Sequence, residues 1–294
     1  MTVVRKILFL VNPISGVGKK KVIPALIDKH FSSDEFQVDV IQTEYRNHGY
    51  EIALEQNSNY DCIVAVGGDG SVNEVGSALV DTNCALGIIP SGSGNGLARH
   101  LGIPLKIEEA ILRIKAFNQM TMDVGKVNDK VFLGTCGFGF DAHIAKKFDD
   151  FHKRGFISYI RLVIKEYGSY KPPVFQFTSG DQQWEKELVM CSVANSSQFG
   201  NGFFISPNSN VSDGKFELVQ IKRFAMLIAP FVVRRFFTKS INRSGYFSQN
   251  NLEQDFQIKI PSEEEVYYHV DGEPYCCKST FNIQLLKQSL KIIC

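Results

Sequence analysis

Apolar positions along this chain follow two different rules, and the change falls at Met122. Upstream, short and nearly continuous apolar runs at Ile7–Val11, Cys62–Val66 and Ala85–Ile89 have the length and composition of strands buried on both faces. A glycine-rich turn follows each run, and helical spacing of apolar residues follows the turn. Val22–Phe31 lies behind the first run, Val72–Val80 behind the second and Ile107–Phe117 beyond the third. Phe36–Ile41 predicts a further strand, with a helix over Tyr50–Gln56 after it. Strand, turn and helix in repeated order predict an α/β domain over residues 1–122, with a parallel sheet covered by helices.

Downstream the pattern predicts strands without alternating helices. Asp123–Val127 and Lys130–Cys136 flank an Asn128-Asp129 turn, and Val174–Thr178 and Glu187–Ala194 flank Gly180-Asp181; both pairs predict hairpins. Further strands are predicted at Phe216–Ile221, Phe256–Ile260, Val266–Val270, Phe281–Leu286 and Leu290–Ile293, with helices at Tyr159–Tyr167 and Phe224–Phe237. Residues 123–294 therefore predict an all-β antiparallel sandwich. The pattern leaves open whether the last strand stays there or returns to the first domain.

Composition narrows the classes. A length of 294 residues suits two domains at ~150 residues each. Lys and Arg total 32 against 31 Asp and Glu, a formal charge of +1, so the chain lacks the basic excess of a nucleic-acid partner. An apolar share of 44%, with 23 Phe and 10 Tyr, excludes disorder as the main state. The cysteines at 62, 84, 136, 191, 276, 277 and 294 are odd in number and form no C-x-x-C pair, which predicts reduced thiols in a cytoplasmic protein. The histidines show no zinc-site spacing. The N-terminal apolar run is too short for a signal peptide. Phe224–Phe237, broken by Pro230, Arg234 and Arg235, falls short of the ~20 residues of a membrane span.

The candidate chemistry lies in three loops at the carboxyl ends of predicted parallel strands, where α/β sheets bind ligands. They are Asn12-Pro13-Ile14-Ser15-Gly16-Val17-Gly18, Gly67-Gly68-Asp69-Gly70-Ser71-Val72-Asn73 and Pro90-Ser91-Gly92-Ser93-Gly94-Asn95-Gly96. Glycine lets backbone N–H groups approach an anion, Ser and Asn add donors without bulk, and a helix starting behind the loop aims its positive end there. Together they predict a phosphate site. Neither the Walker A nor the dinucleotide G-x-G-x-x-G spacing is met. Asp69 is an acid where phosphate is expected, which makes sense if a divalent metal or a hydroxyl proton lies between them. Ser71 and Glu74 have the S-x-x-E spacing of a helix capping box, a purely structural use of both.

At these residues the chain resembles the diacylglycerol kinase and sphingosine kinase catalytic-domain family, in the form of the soluble bacterial lipid kinases. The resemblance runs through Val11-Asn12-Pro13 with Gly16, Gly67 to Glu74, Pro90 to Asn95, Met122-Asp123-Val124-Gly125, Ser212-Asp213-Gly214 and Val270-Asp271-Gly272-Glu273-Pro274. It implies an NAD kinase/diacylglycerol kinase-like α/β domain followed by a β-sandwich, with ATP in the cleft between them. It also implies Mg²⁺-dependent transfer of the γ-phosphoryl group to a lipid hydroxyl. By matching motifs, Asn12, Thr43, Gly67, Gly68, Asp69, Gly70, Ser71, Asn73, Ser93 and Asn95 are implied to bind the nucleotide. Glu273 is implied as the proton acceptor, with Asp69 and Asp271 as the accompanying acids. Asn210, Asp213 and Lys215 are implied to hold a structural Mg²⁺. The third loop reads Ser93-Gly94-Asn95-Gly96 where many bacterial members have Thr-x-Asn-Asp, which leaves the acceptor open between diacylglycerol, a sphingoid base and other long-chain alcohols. Read without the family, Asp213-Gly214 and Asp271-Gly272 are hairpin-turn signals.

Two segments mix basic and aromatic residues, Phe151–Arg161 and Phe224–Lys239. Each fits peripheral contact at the inner membrane surface, and each fits somewhat better a helix packed on the sandwich with a solvated basic edge. A homodimer is an arrangement that the edge strands of a sandwich permit. Two other functions share some of these residues: an NAD kinase-like enzyme with a soluble acceptor, and a nucleotide-binding regulator without catalysis.

Overall fold

A computed structural model describes residues 4–14, 22–32, 34–149 and 156–294. Ser15–Gly18 of the first loop and Phe151–Gly155 of the first basic and aromatic segment lie outside the described residues. The chain divides into two compact units, Met1–Val124 with Lys287–Cys294, and Gly125–Leu286.

The first unit alternates strand and helix. Its elements are β1 (Arg5–Val11), α1 (Ile23–His30), β2 (Phe36–Gln42), α2 (His48–Gln56), β3 (Cys62–Gly67), α3 (Asp69–Ala78), β4 (Ala85–Pro90), α4 (Gly96–His100), α5 (Ile107–Ala116) and β5 (Gln119–Val127), whose last three residues belong to the second unit. The strands lie in the order β2-β1-β3-β4 and pair in parallel. β3 and β4 are buried along their whole length, which is why their sequences are apolar at consecutive positions. On α5, Ala110, Ile111 and Ile114 face the core, with Glu108 and Glu109 in the first turn and Arg113 and Lys115 in the last. Glu108 also accepts from Lys29 (2.8 Å) and contacts His30 (2.9 Å), joining α5 to the end of α1.

The second unit is an antiparallel sandwich. It contains β6 (Lys130–Phe132), β7 (Thr135–Gly139), α6 (Phe140–Asp149), α7 (Phe156–Tyr167), β8 (Val174–Ser179), β9 (Gln182–Glu187), β10 (Met190–Ala194), β11 (Phe216–Ile221), α8 (Ala229–Phe237), β12 (Phe247–Leu252), β13 (Phe256–Lys259), β14 (Val266–Val270), β15 (Glu273–Cys277) and β16 (Thr280–Ile293). One layer is the sheet β12-β11-β10-β7-β14-β15; the facing layer holds β13, β8, β9 and the start of β16. Phe132, Phe175, Phe177 and Phe281 meet Phe138, Phe216 and Tyr268 in one buried cluster. Phe138 and Phe281 pack edge to face with centroids 4.6 Å apart.

Several sequence expectations are corrected here. Lys130–Cys136 is not one strand: the chain turns at Leu133-Gly134, whose amides are drawn to the carboxylate of Asp271 in a distant turn. The partner of β8 across Gly180-Asp181 is β9, not Glu187–Ala194; the chain leaves that hairpin at Leu188, and Met190–Ala194 pairs with β7 and β11 in the opposite layer. β9 has only one apolar residue, the half-buried Trp184, among exposed and half-buried polar ones, so it lacks the apolar run that marks a strand. Phe281–Leu286 and Leu290–Ile293 are one strand, β16, carried past Gln288 at φ +48°. Its last residues belong to the first unit, where Ile292 lies beside Leu86 of β4, in parallel. The helix expected over Phe224–Phe237 begins at Ala229, because Pro230 suits a first turn and not a helix interior.

Candidate active site

In the first unit four strands end at one edge. Val11 pairs with Gln42 and Val66, and Gly67 with Pro90, so Asn12, Thr43, Gly68 and Ser91 leave the sheet side by side. Backbone bonds tie the exits together: Asn12 N–H to Val66 O (3.1 Å), Thr43 N–H to Val11 O (3.0 Å) and Ser91 N–H to Gly67 O (2.7 Å).

α3 starts directly on Gly68, whose extended backbone serves as the cap, and its first intrahelical bond runs from Val72 N–H to Gly68 O (3.0 Å). The amides of that first turn have no intrahelical acceptor and form the positive end of the helix. Starting at Asp69 rather than Val72 puts Ser71 inside the first turn, so the expected capping box does not form. Ser71 Oγ accepts from Asn12 Nδ2 (3.0 Å), and Glu74 Oε1 accepts from the Asn47 N–H at the head of α2 (2.8 Å).

Asp69 reaches across to the third loop. Its carboxylate accepts from Asn95 N–H (2.8 Å) and Gly96 N–H (2.7 Å), the amides that open α4. These bonds join the second loop to the third. The two backbones touch: a Cβ on Gly92 would lie 2.5 Å from Gly68 Cα. Asn95, left-handed at φ +53° and buried, holds the third loop from within, accepting from Gly92 N–H (3.0 Å) and donating to Gly92 O (2.8 Å). Ser93 is exposed at the tip, and its hydroxyl has no partner among the described residues.

In the second unit, Asp271 and Gly272 form the two-residue turn between β14 and β15. Val270 pairs with Glu273 across it, with φ +47° and +90° at the turn residues. Both positive angles match the type I′ hairpin that favours Asp-Gly. The Asp271 carboxylate accepts from three consecutive amides, Leu133, Gly134 and Thr135, each at 2.8 Å. This side chain breaks the strand expected at Lys130–Cys136. Glu273, half-buried, is the first residue after the turn.

Beneath the turn lies a buried pair that the sequence reading missed. His269 Nδ1 accepts from Gly272 N–H (3.3 Å), which places the ring proton on Nε2, 3.2 Å from Asp141 Oδ2. Both residues are almost fully buried, and burial pushes the Asp141 carboxyl above its ordinary range. Asp141 also accepts from Ala142 N–H (2.8 Å). The available signal was a histidine inside an apolar, aromatic strand two residues before Asp271.

The loop implied to hold Mg²⁺ precedes β11. Asn210 Oδ1 accepts from Ser212 N–H (3.1 Å) and Oγ (3.0 Å), Asp213 Oδ1 accepts from Lys215 N–H (3.2 Å), and Lys215 Nζ pairs with Glu253 (2.8 Å). Glu217 is buried beside Asp213, and its carboxyl is pushed up to about 7, chiefly by burial. The donors are hard oxygens, carboxylate, amide and main-chain carbonyl, which fit Mg²⁺ rather than a softer metal. Lys215 has no side-chain oxygen and could offer such an ion only its main-chain carbonyl. Among the described residues no group of three or more His, Cys, Asp or Glu side chains could hold a metal by itself.

Residues 6–127 match the diacylglycerol kinase catalytic domain, and residues 134–294, more than half of the chain, match the YegS C-terminal NAD kinase beta sandwich-like domain. This chain belongs to the lipid kinase family defined by those two domains, and is therefore a phosphotransferase by class. Among its relatives, the "Probable lipid kinase YegS-like" of Klebsiella pneumoniae (strain 342) is 27% identical over 238 residues, covering 79% of this chain and 77% of the relative. The "Probable lipid kinase YegS" of Escherichia coli O1:K1 / APEC is 29% identical over 240 residues, covering 78% and 76%. A diacylglycerol kinase crystal structure from Bacillus anthracis str. Sterne shares the fold at TM-score 0.73 and 23% identity, covering 100% of this chain and 98% of that one. An NAD kinase from Archaeoglobus fulgidus in complex with ATP is more distant, at TM-score 0.57 and 13% identity, covering 98% and 93%.

Proposed function

We propose that this protein transfers the γ-phosphoryl group of ATP to the hydroxyl of a lipid, drawn from diacylglycerols, sphingoid bases or other long-chain alcohols. The carrying observation is the bonding of the Asp69 carboxylate to the Asn95 and Gly96 amides, which makes one rigid cradle of two glycine loops at the carboxyl edge of the sheet. In this reading Asn12, Thr43, the Gly67–Asn73 amides, Ser71, Asn73, Ser93 and Asn95 bind or shape the seat of the triphosphate. Asp69 acts as a positioning residue for the third loop.

Glu273 accepts the proton of the acceptor hydroxyl. As that oxygen forms its bond to the γ-phosphorus, the bond from phosphorus to the bridging oxygen breaks and ADP leaves with the electron pair. An alcohol is a poor nucleophile at neutral pH, and a placed carboxylate typically contributes 10²–10⁴-fold. Asp271 positions Glu273 through the three amides it binds, and His269 holds the Gly272 end of the same turn. The loop of Asn210, Asp213 and Lys215 would hold Mg²⁺ through hard oxygens. When bound, Mg²⁺ would supply charge neutralisation, of the loop's Asp213 carboxylate as a structural ion and of phosphate oxygens alongside ATP. A cytoplasmic protein with this activity meets its acceptor at a membrane surface; no described helix is long and apolar enough to cross a membrane.

The test is incubation with γ-labelled ATP, Mg²⁺, a fractionated lipid extract and added NAD, with identification of the labelled product. A phosphorylated lipid is expected. Label on NAD, or on nothing, overturns the reading in favour of a soluble acceptor or of a silent nucleotide binder.

A further inference from the structure

The segment Lys222–Tyr246 carries six basic residues and no acidic one, in a chain whose total charge is +1. It folds as a single-turn helix at Met226–Ile228 running into α8. The inner face of α8 is packed: Val232 and Phe236 are buried, and Phe236 stacks on Phe203 at 4.4 Å. The outer side is also apolar but uncovered among the described residues. Leu227 is 88% exposed, Phe231 72% and Met226 43%. Apolar side chains on both sides of a short surface helix are not explained by packing on the sandwich alone.

The cations divide by their partners. Arg223 donates to the Tyr170 and Gly168 carbonyls (2.7 and 3.1 Å), and Lys239 lies over the Phe204 ring at 4.5 Å, so both have structural uses. Arg234, Arg235 and Arg243 pair with no carboxylate among the described residues. Arg235 and Arg243 flank an open groove of about 250 Å³ whose apolar walls include Ile228, Phe231 and Tyr246. Two guanidinium groups beside an apolar groove match a phosphate joined to a hydrocarbon body, since arginine binds phosphate oxygens in pairs.

We propose that this surface docks the protein on an anionic phospholipid bilayer. Leu227 and Phe231 enter the boundary between headgroups and acyl chains, Arg235 and Arg243 grip a lipid phosphate in the groove, and Arg234 adds charge at the rim. Apolar insertion and attraction to anionic headgroups reinforce each other in such surface helices. The purpose of the surface rests on the lipid-kinase reading, because a lipid acceptor lies in a bilayer. Its existence does not.

The test is therefore binding without nucleotide or acceptor. The full chain is sedimented with phosphatidylcholine vesicles, with vesicles containing about one-third phosphatidylglycerol, and with the latter plus excess inorganic phosphate. Binding to the anionic vesicles alone is expected, weakened by raised salt. Leu227→Ser with Phe231→Ser should lower the partition coefficient about tenfold or more, and Arg235→Glu with Arg243→Glu should abolish binding. Leu227 and Phe231 are exposed, so their replacement should leave the melting temperature unchanged, and Leu112→Ser, an exposed leucine on α5, should bind as wild type. Equal binding to both vesicle types, or wild-type binding by the apolar double variant, overturns the proposal. Self-association that the double variant abolishes, without vesicle binding, assigns the surface to a second copy and also overturns it. Complete competition by inorganic phosphate reduces the groove to a free-anion site and overturns the docking. Vesicle binding with no lipid phosphorylated would sink the kinase reading and leave this surface standing; the reverse result would do the opposite.

Discussion

Gly92→Ala tests whether the two glycine loops must touch for the nucleotide seat to exist. The new Cβ would lie 2.5 Å from Gly68 Cα, backbone against backbone, with no side chain that can rotate away. Non-bonded carbons settle at about 3.5–4.0 Å, so the loops must part by roughly 1 Å. The Asp69 bonds to Asn95 and Gly96, now 2.8 and 2.7 Å, would stretch beyond hydrogen-bonding range. Overpacking of this kind costs about 1–3 kcal/mol, and a misplacement of about 1 Å at a reacting centre costs about 10²-fold. The assay is ATP affinity by calorimetry, with kcat/KM for lipid phosphorylation and thermal melting alongside. ATP affinity should fall at least tenfold and turnover about a hundredfold, with a melting point only several degrees lower. Gly168→Ala, where an added methyl meets nothing within 4 Å, is the control and should change none of these. A folded Gly92→Ala protein with ATP affinity and turnover within twofold of wild type would refute the claim that the cradle depends on loop contact.

Glu273→Gln should lower kcat by 10²-fold or more while ATP affinity, measured by calorimetry, stays near wild type; near-normal turnover would remove Glu273 as the base. Asp271→Ala leaves three amides without their carboxylate at the β6–β7 corner, and with about 1.5–3 kcal/mol per charged bond before solvent compensation it should cost several kcal/mol in urea unfolding. A loss under about 1 kcal/mol would show that the corner does not depend on it. Burial raises the Asp141 carboxyl, so the folded state binds a proton that the unfolded state has released, and stability falls as pH rises above the ordinary aspartate range. Asp141→Asn should therefore gain stability relative to wild type between about pH 4 and pH 7; an unchanged difference in urea midpoints at the two pH values would contradict this. His269→Phe should lower kcat more than it raises KM for ATP, because it frees the Gly272 end of the turn and touches no nucleotide loop; equal changes in both would point to general loosening.

Much of the first unit was readable because its signals are local. β3 and β4 are buried on both faces, so their residues had to be apolar in succession, and their loops had to be rich in glycine where backbones approach. The aromatic strands of the sandwich were readable for the same reason. β9 was not, because five of its six side chains are polar and Trp184 alone is apolar. The Ser71 and Glu74 spacing misled because a capping box depends on where the helix begins, and an extended Gly68 starts it at Asp69. His269 and Asp141 lie 128 residues apart in the chain, and nothing local to either announces the other.

Alternation of apolar runs, glycine turns and helical spacing was enough to establish an α/β unit followed by a sandwich, and to put glycine-rich loops at the carboxyl ends of its parallel strands. Folding alone decided how the carboxylates are used. Asp69 closes one loop on another, Asp271 turns a distant corner of the chain, and the end of β16 pairs in the first unit after starting in the second. The reason is physical: local pattern reports how far each residue must hide from water, whereas a carboxylate takes whichever N–H groups the finished backbone presents, however remote they are in sequence.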